Sequence, residues 1–455
     1  MQKNELNFLL SFLHKGSKKI LVALFCISMQ VNAQNKKPNI VFLLIDDLGY
    51  ADCGFSGGKD ILTPNIDRLA KAGAILENHY VQPVCSPTRS ALMTGRYPTK
   101  TGIYTVITPG AQWGLPLNER TLANALKEAG YHTAITGKWH LGEFEKAYQP
   151  NARGFDQQYG HFFGAIDYYT HSRNNQLDWY RNGESLKEEG YSTHLIAHEA
   201  CQTIEKNDQK KPLFLYVPFN GVHSPFQAPE QYTKAYPSLV GNRQKLAGML
   251  AAVDEAVGQI MASLKKAGML ENTLIVFSSD NGGPPPGNNA PLRDYKATIY
   301  EGGTRAAAFA CWPGHIPAGK KISGAMHMID WYPTLVTLAG GSLKQALPID
   351  GMDVWPMITK GEPSPHKAIL SVSTRGISQA AIRMGDWKLI VASGGEADDG
   401  TPQKQAKKYE PISLFNLLED PGESRNLAST HPDKVAELGK ELSALLKDAV
   451  APGGK

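Results

Sequence analysis

Cysteine is scarce in this chain, and what there is does not cluster. Cys26, Cys53, Cys85, Cys201 and Cys311 are the five cysteines of 455 residues, and their spacing gives neither a disulfide framework nor a zinc-ligand pattern. Beyond the first thirty residues no run is apolar over the roughly 20 positions that a bilayer span requires. Internal repeats and low-complexity tracts are absent. An excess of charge is missing too: 47 Lys and Arg face 43 Asp and Glu, which argues against a nucleic-acid partner. With 42% hydrophobic and 20% charged residues, the composition is that of a globular chain and excludes disorder.

What is present begins with an export pattern. Lys15, Lys18 and Lys19 precede an apolar stretch, Ile20 to Met29, that is too short to span a membrane, and Val31-Asn32-Ala33 supplies small residues at the positions a signal peptidase reads. Residues 1–33 are therefore expected to be a signal peptide cleaved before Gln34, directing the protein to the periplasm or outside the cell without stable membrane insertion. That segment carries four lysines and one glutamate, so the remainder is almost neutral. Among Cys53, Cys201 and Cys311 at most one disulfide can form if Cys85 has another task.

From Asn39 onward, apolar runs alternate with helical patterns. Asn39–Ile45, His132–Thr136, Leu213–Pro218 and Thr273–Ser278 read as strands buried on both faces. Asn65–Ala72, Thr121–Ala129 and Asp254–Ala267 read as helices, the last two stopped by Gly130 and Gly268. The expected fold class is α/β: a large, mainly parallel sheet sandwiched by helices. After about Gly340 the texture changes. Ile382–Val391 suggests two short strands around a Gly-Asp turn, Leu414–Asn416 another strand, Pro432–Ala449 a helix, and Gly361–Pro365 and Gly394–Gly400 loops. The expected domains are 34–345, α/β, and 346–455, a smaller α+β unit.

Ligands in open α/β sheets bind beyond the carboxyl ends of the strands. There the sequence places Asp46-Asp47, then Lys138 and His140, then His223, then Asp280-Asn281. Singly, Asp46-Asp47 could cap a helix and Asp280-Asn281-Gly282 could be a turn. Together they offer oxygen donors suited to a hard cation, calcium or magnesium, rather than zinc or copper. Cys85-Ser86-Pro87-Thr88-Arg89 adds a cysteine just before a helix, with Ser86 as its cap and Pro87 in its first turn. A helix N-terminus favours an anion, and Arg89 adds charge one turn in.

These residues resemble the type I sulfatases of the alkaline phosphatase superfamily. The match is CSPTRSALMTGR from Cys85 to Arg96, supported by DDLGYADCGFSGG at 46–58, TGKWHLG at 136–142, NGVHSPF at 220–226, SSDNGG at 278–283 and EGGTRAAAF at 301–309. The segments 154–171, 251–268 and 329–340 look similar to the arylsulfatase B-like branch. The resemblance implies that a separate maturation enzyme oxidises Cys85 to formylglycine, whose hydrate is the nucleophile. It implies one calcium ion held by Asp46, Asp47, Asp280, Asn281 and the modified Cys85, with Arg89 stabilising the hydrate. Lys138, His140, His223 and Lys296 would surround the sulfate, His223 facing the leaving alcohol and His140 taking the proton that releases sulfate from the enzyme. His171 and Asp167 are candidates for a further polar group near the hydrate.

The implied substrate is a sulfate monoester, most naturally an O-sulfate on a carbohydrate such as a glycosaminoglycan or an algal galactan. Tyr168, Tyr169, His171, Arg173, Trp179 and Arg293 could shape sugar subsites. The alternatives are hydrolysis of a phosphonate or phosphate diester by the same formylglycine, and a non-catalytic glycan-binding protein.

Overall fold

The computed structural model describes residues 37–373, 376–392 and 410–453. The expected signal peptide and the Gly394–Gly400 loop lie outside the described residues. Five strands form the parallel centre of a ten-stranded sheet: β1 (Asn39–Ile45), β2 (His132–Lys138), β3 (Gln157–His161), β4 (Leu213–Pro218) and β5 (Thr273–Ser279), in the spatial order β5-β1-β4-β2-β3. Short antiparallel pieces extend both sides. Ala308–Cys311 pairs with β5 and carries Ala74–Leu76 beyond it, while Tyr180–Arg181 and Glu184–Ser185 extend β3. The sheet is thus mixed, with its parallel part at the centre.

The apolar runs are continuous because alternate side chains feed two different cores. Ile40, Phe42 and Leu44 of β1 enter one core, and Val41, Leu43 and Ile45 the other. The helices divide in the same way. The first core takes α2 (Cys85–Thr94) and α3 (Leu122–Glu128), and the second takes α1 (Pro64–Ala72), α4 (Ser192–Glu205) and α5 (Gly241–Lys266). Thr121 caps α3 through a reciprocal bond with Asn124. The helix expected at 254–267 begins thirteen residues earlier, because Leu246, Met249 and Leu250 continue its buried face.

Residues 346–455 hold a second sheet of four antiparallel strands, Ile369–Ser373, Gly376–Met384, Trp387–Ala392 and Ile412–Asn416, with the helix Pro432–Leu446 packed on it. Gly385-Asp386 makes the turn expected there. Among the described residues no helix is long and apolar enough to cross a membrane, and Cys53, Cys85, Cys201 and Cys311 are all free.

Candidate active site

Parallel pairing puts the ends of β1, β2, β4 and β5 on one edge of the sheet, where Ile45 lies opposite Ser279 and Leu44 opposite Pro218. The residues that follow these strands converge there: Asp46 and Asp47 after β1, His140 after β2, His223 after β4, and Asp280 and Asn281 after β5. Lys138 is itself the last residue of β2. Asp47 and His140 both hold left-handed backbone, with φ of 63° and 60°, a conformation that costs a non-glycine residue free energy and is met where side chains must be aimed.

Cys85 is the first residue of α2, and all ten residues of that helix are buried. Ser86 does not cap the helix. Its hydroxyl donates to the His140 carbonyl at 3.0 Å and accepts from Ile107 N–H at 3.2 Å, so it ties the Cys85 turn to the His140 loop. Arg89, one turn on, donates from Nε and Nη2 to Asp280 Oδ2 at 3.1 and 2.8 Å and from Nη1 to the Lys138 carbonyl at 3.0 Å. Gly95 ends the helix at φ 67°, where a Cβ would lie 2.9 Å from Tyr332.

The charges are arranged as crossed pairs. Lys138 Nζ lies 2.5 Å from Asp46 Oδ2, and Lys296 Nζ lies 2.7 Å from Asp47 Oδ1. Asn281 Nδ2 donates to Asp47 Oδ1 at 2.7 Å. Burial opposes the ionisation of Asp46 and Asp47. Lys138 for the first and Lys296 for the second, with His223 acting on both, outweigh it and hold both pKa values below the ordinary range. Asp280 is pushed the other way by burial and by Asp46, despite Arg89. Burial, reinforced by Asp46 and Asp280, also raises the Cys85 thiol against the pull of Lys138 and Lys296. The unmodified side chain is therefore a poor thiolate nucleophile.

The two histidines differ. His140 Nε2 donates to the Ile107 carbonyl at 3.0 Å, which leaves Nδ1 with its lone pair, buried and without a partner among the described residues. Burial, then Lys138 and Arg89, hold this imidazole well below its ordinary pKa, so it is neutral. Its ring lies against Gly164, where a Cβ would come within 2.5 Å. His223 is partly exposed, donates from Nδ1 to the Ser224 carbonyl at 2.6 Å, and turns Nε2 toward Asp47 Oδ2 at 3.5 Å.

Cys85, Asp47, His140, His223 and Lys296 form the floor of an open cavity of about 700 Å³. Arg89, Lys138, Asp46, Asp280 and Asn281 lie beneath that floor. Val106, Ile107, Pro109, Ile166, Phe226, Pro284 and Pro285 make its walls largely apolar. The matching family model is that of the sulfatases, over residues 38–342, and mouse arylsulfatase J is 38% identical over 92% of this chain and 77% of its own length. The chain belongs to the sulfatase family. It is accordingly a hydrolase of sulfuric esters.

Mouse N-acetylgalactosamine-6-sulfatase is 32% identical over 96% of this sulfatase and 91% of the relative. Among solved structures, Ps i-CgsB in complex with k-i-k-neocarrahexaose superimposes with a TM-score of 0.84 at 36% identity, covering 92% of this chain and 94% of that one. The phosphonate monoester hydrolase of Agrobacterium radiobacter, at 21% identity and a TM-score of 0.63, shares the fold.

The donors of this sulfatase fit a metal ion. One ligand atom each from Asp46, Cys85 and Asp280 lies within 4.8 Å of the others, and so does a set from Asp46, Asp47 and His223. Asp46 Oδ1 and Asn281 Oδ1 are buried oxygens with no hydrogen-bond partner among the described residues, as expected of atoms reserved for a cation. Apart from Cys85 and His223 the donors are oxygens, the set a hard ion takes.

Several expected residues lie elsewhere. His171 is buried, stacked on Trp179 at 4.5 Å and bonded to the Gly190 carbonyl, away from the cavity. Asp167 reaches the cavity wall, but its carboxylate is taken by Tyr169 N–H, Thr170 N–H and Gln227 Nε2. Tyr168 bonds the Asn220 and His223 carbonyls from behind the wall, and Trp179 packs inside. Arg293 bonds the Glu423 carbonyl and covers the Tyr300 ring, and Tyr169 is exposed outside the cavity. Of the six proposed sugar-contacting residues, Arg173 alone lines it. The Ile107 carbonyl and Gly164, which fix His140, were not anticipated: a backbone carbonyl carries no sequence signal, and a glycine needed for close approach looks like any loop glycine.

Proposed function

We propose that this sulfatase removes O-sulfate groups from a sulfated carbohydrate, with formylglycine made from Cys85 as nucleophile and calcium held by Asp46, Asp47, Asp280, Asn281 and the modified side chain. The observation that carries the reading is the placing of Cys85. It stands at the first turn of α2, on the floor of an open cavity, between the neutral His140, His223 and Lys296, with its own thiol held protonated. When bound, calcium supplies positive charge for the sulfate oxygens.

The chain's own residues do the rest. Lys296, Lys138 and the free amides of α2 offset the sulfate charge. Arg89 holds Asp280 in place as a ligand. His223, on the open side, acts as the imidazolium that the Asp47 carboxylate favours: Nε2 gives its proton to the departing sugar oxygen, and the ring is left neutral with Nδ1–H on the Ser224 carbonyl. His140 offers the Nδ1 lone pair and takes a proton from the hydroxyl at position 85. The apolar walls suit the faces of sugar rings. The relatives named for sulfated N-acetylgalactosamine and the neighbour crystallised with a neocarrahexaose support the substrate class. The start of the chain supports export to the periplasm or beyond, and the modification requires a formylglycine-generating partner.

Peptide mass spectrometry of protein from a maturation-competent host should find sulfur at position 85 replaced by aldehyde oxygen. That protein should release sulfate from sulfated oligosaccharides and act poorly on aryl phosphodiesters. Full activity with an intact Cys85 thiol would overturn the nucleophile, and preference for the phosphodiester would overturn the reaction.

A further inference from the structure

One charge at the cavity has no counterpart. On the floor, Lys296 is matched to Asp47, and beneath it Lys138 is matched to Asp46 and Arg89 to Asp280. On the wall, Asp167 is consumed by its own loop and by Gln227. Arg173 is half-buried, lines the same cavity, and has no hydrogen bond or ion pair for its guanidinium among the described residues. Its charge reaches His140, where it adds to the forces keeping that ring neutral.

Nor is Arg173 on a loose loop. It closes a two-residue hairpin in which Ser172–Arg173 pairs with Gln176–Leu177. Asn174 and Asn175, with φ of 52° and 61°, supply the left-handed pair such a turn demands. Asp167 N–H donates to the Ser172 carbonyl at 2.8 Å. Gln227 Nε2 donates to Asp167 at 2.7 Å, and Tyr168 Oη donates to the His223 carbonyl at 2.8 Å. The hairpin is therefore bolted to the loop that carries His223. A guanidinium fork is planar and bidentate, the shape that matches a carboxylate or a sulfate.

We propose that Arg173 binds a second anionic group of the carbohydrate, a sulfate or a carboxylate distinct from the ester being cleaved, and so selects polyanionic substrates. This rests on the sulfated-carbohydrate reading above. The test uses mature enzyme and three oligosaccharides of one backbone: one bears the scissile sulfate alone, one adds a second sulfate, and one adds a carboxylate. Nitrophenyl sulfate is the fourth substrate. Wild type should prefer at least one doubly anionic oligosaccharide, mainly through KM. Arg173→Gln should shrink that preference about tenfold or more, the weight of a charged hydrogen-bonded contact. Arg173→Lys should keep part of it, as charge without the fork. The arm that loses preference identifies the second anion. Three outcomes overturn the inference: no wild-type preference for either doubly anionic substrate, a preference unchanged in Arg173→Gln, or equal losses on all four substrates. Wild type that carries the aldehyde but is inactive on all three oligosaccharides overturns the carbohydrate reading as well.

Discussion

Arg89 Nη2 lies 2.8 Å from Asp280 Oδ2, both side chains fully buried one turn below Cys85. The pair joins the helix that presents the cysteine to the strand end that presents two of the proposed metal ligands. Attraction between such ions is offset by the cost of desolvating them, so the pair adds little net stability while intact. Losing one partner is a different matter.

Arg89→Ala should leave Asp280 buried beside Asp46 and Cys85 with its closest counterion gone. The expected loss is about 3–5 kcal/mol of unfolding free energy, read by urea denaturation of metal-free protein. Arg89→Met combined with Asp280→Met should lose less than Arg89→Ala alone. A smaller loss for the single variant would mean that the carboxylate relaxes out of its site or takes up a proton at little cost.

Metal should register in stability as well as turnover. Asp46 Oδ1 and Asn281 Oδ1 have no hydrogen-bond partner among the described residues, so calcium added after chelation should raise Tm, because it binds only the folded state. Asn281→Ala should weaken the concentration dependence of that rise, and chelation should abolish sulfate release. A Tm indifferent to calcium in the wild type would remove the ion from these ligands.

The parts of the site that were legible in the sequence lie where local chemistry and topology agree. Asn39–Ile45 and Thr273–Ser279 are apolar enough to be strands whatever surrounds them, and parallel pairing then forces Asp46, Asp47, Asp280 and Asn281 onto one edge. Ala74–Leu76 and Tyr180–Arg181 were not legible. Strands of two or three residues carry no period of their own and owe their conformation to the partner beside them. Ser86 misled for the opposite reason. Its type and position suit a helix cap, but the Ile107 and His140 segments, distant in sequence, claim its hydroxyl.

Acid should weaken the fold through buried histidines. Burial pushes His79 down to about 3, where its Nε2 accepts from Trp331 Nε1 at 3.1 Å. A histidine held below its unfolded value refuses a proton that the unfolded chain accepts. Stability is therefore intact above pH 6.5 and falls as pH drops below it, by up to about 1.4 kcal/mol per pH unit for each such group. Urea midpoints measured at pH 7 and pH 5 should differ in this direction, and His79→Gln should reduce the difference. Equal slopes in variant and wild type would show that His79 is not among the groups responsible.

The two site histidines should separate by leaving group. His223 stands on the open side of the cavity beside Asp47, and His140 is buried with Nδ1 unpaired among the described residues. Nitrophenol departs without help, whereas a sugar alcohol needs a proton. A positioned acid contributes about 10²–10⁴-fold where protonation limits the step. His223→Ala should therefore lower kcat/KM for a sugar sulfate by one to two orders of magnitude more than for nitrophenyl sulfate. His140→Ala should depress both alike, because the proton it takes comes from position 85 and not from the substrate. The His140→Ala loss should persist from pH 6 to 8, since burial, then Lys138 and Arg89, hold that ring well below its ordinary range. Equal losses on both substrates for His223→Ala would mean that it only binds sulfate. A leaving-group effect confined to His140→Ala would exchange the two roles.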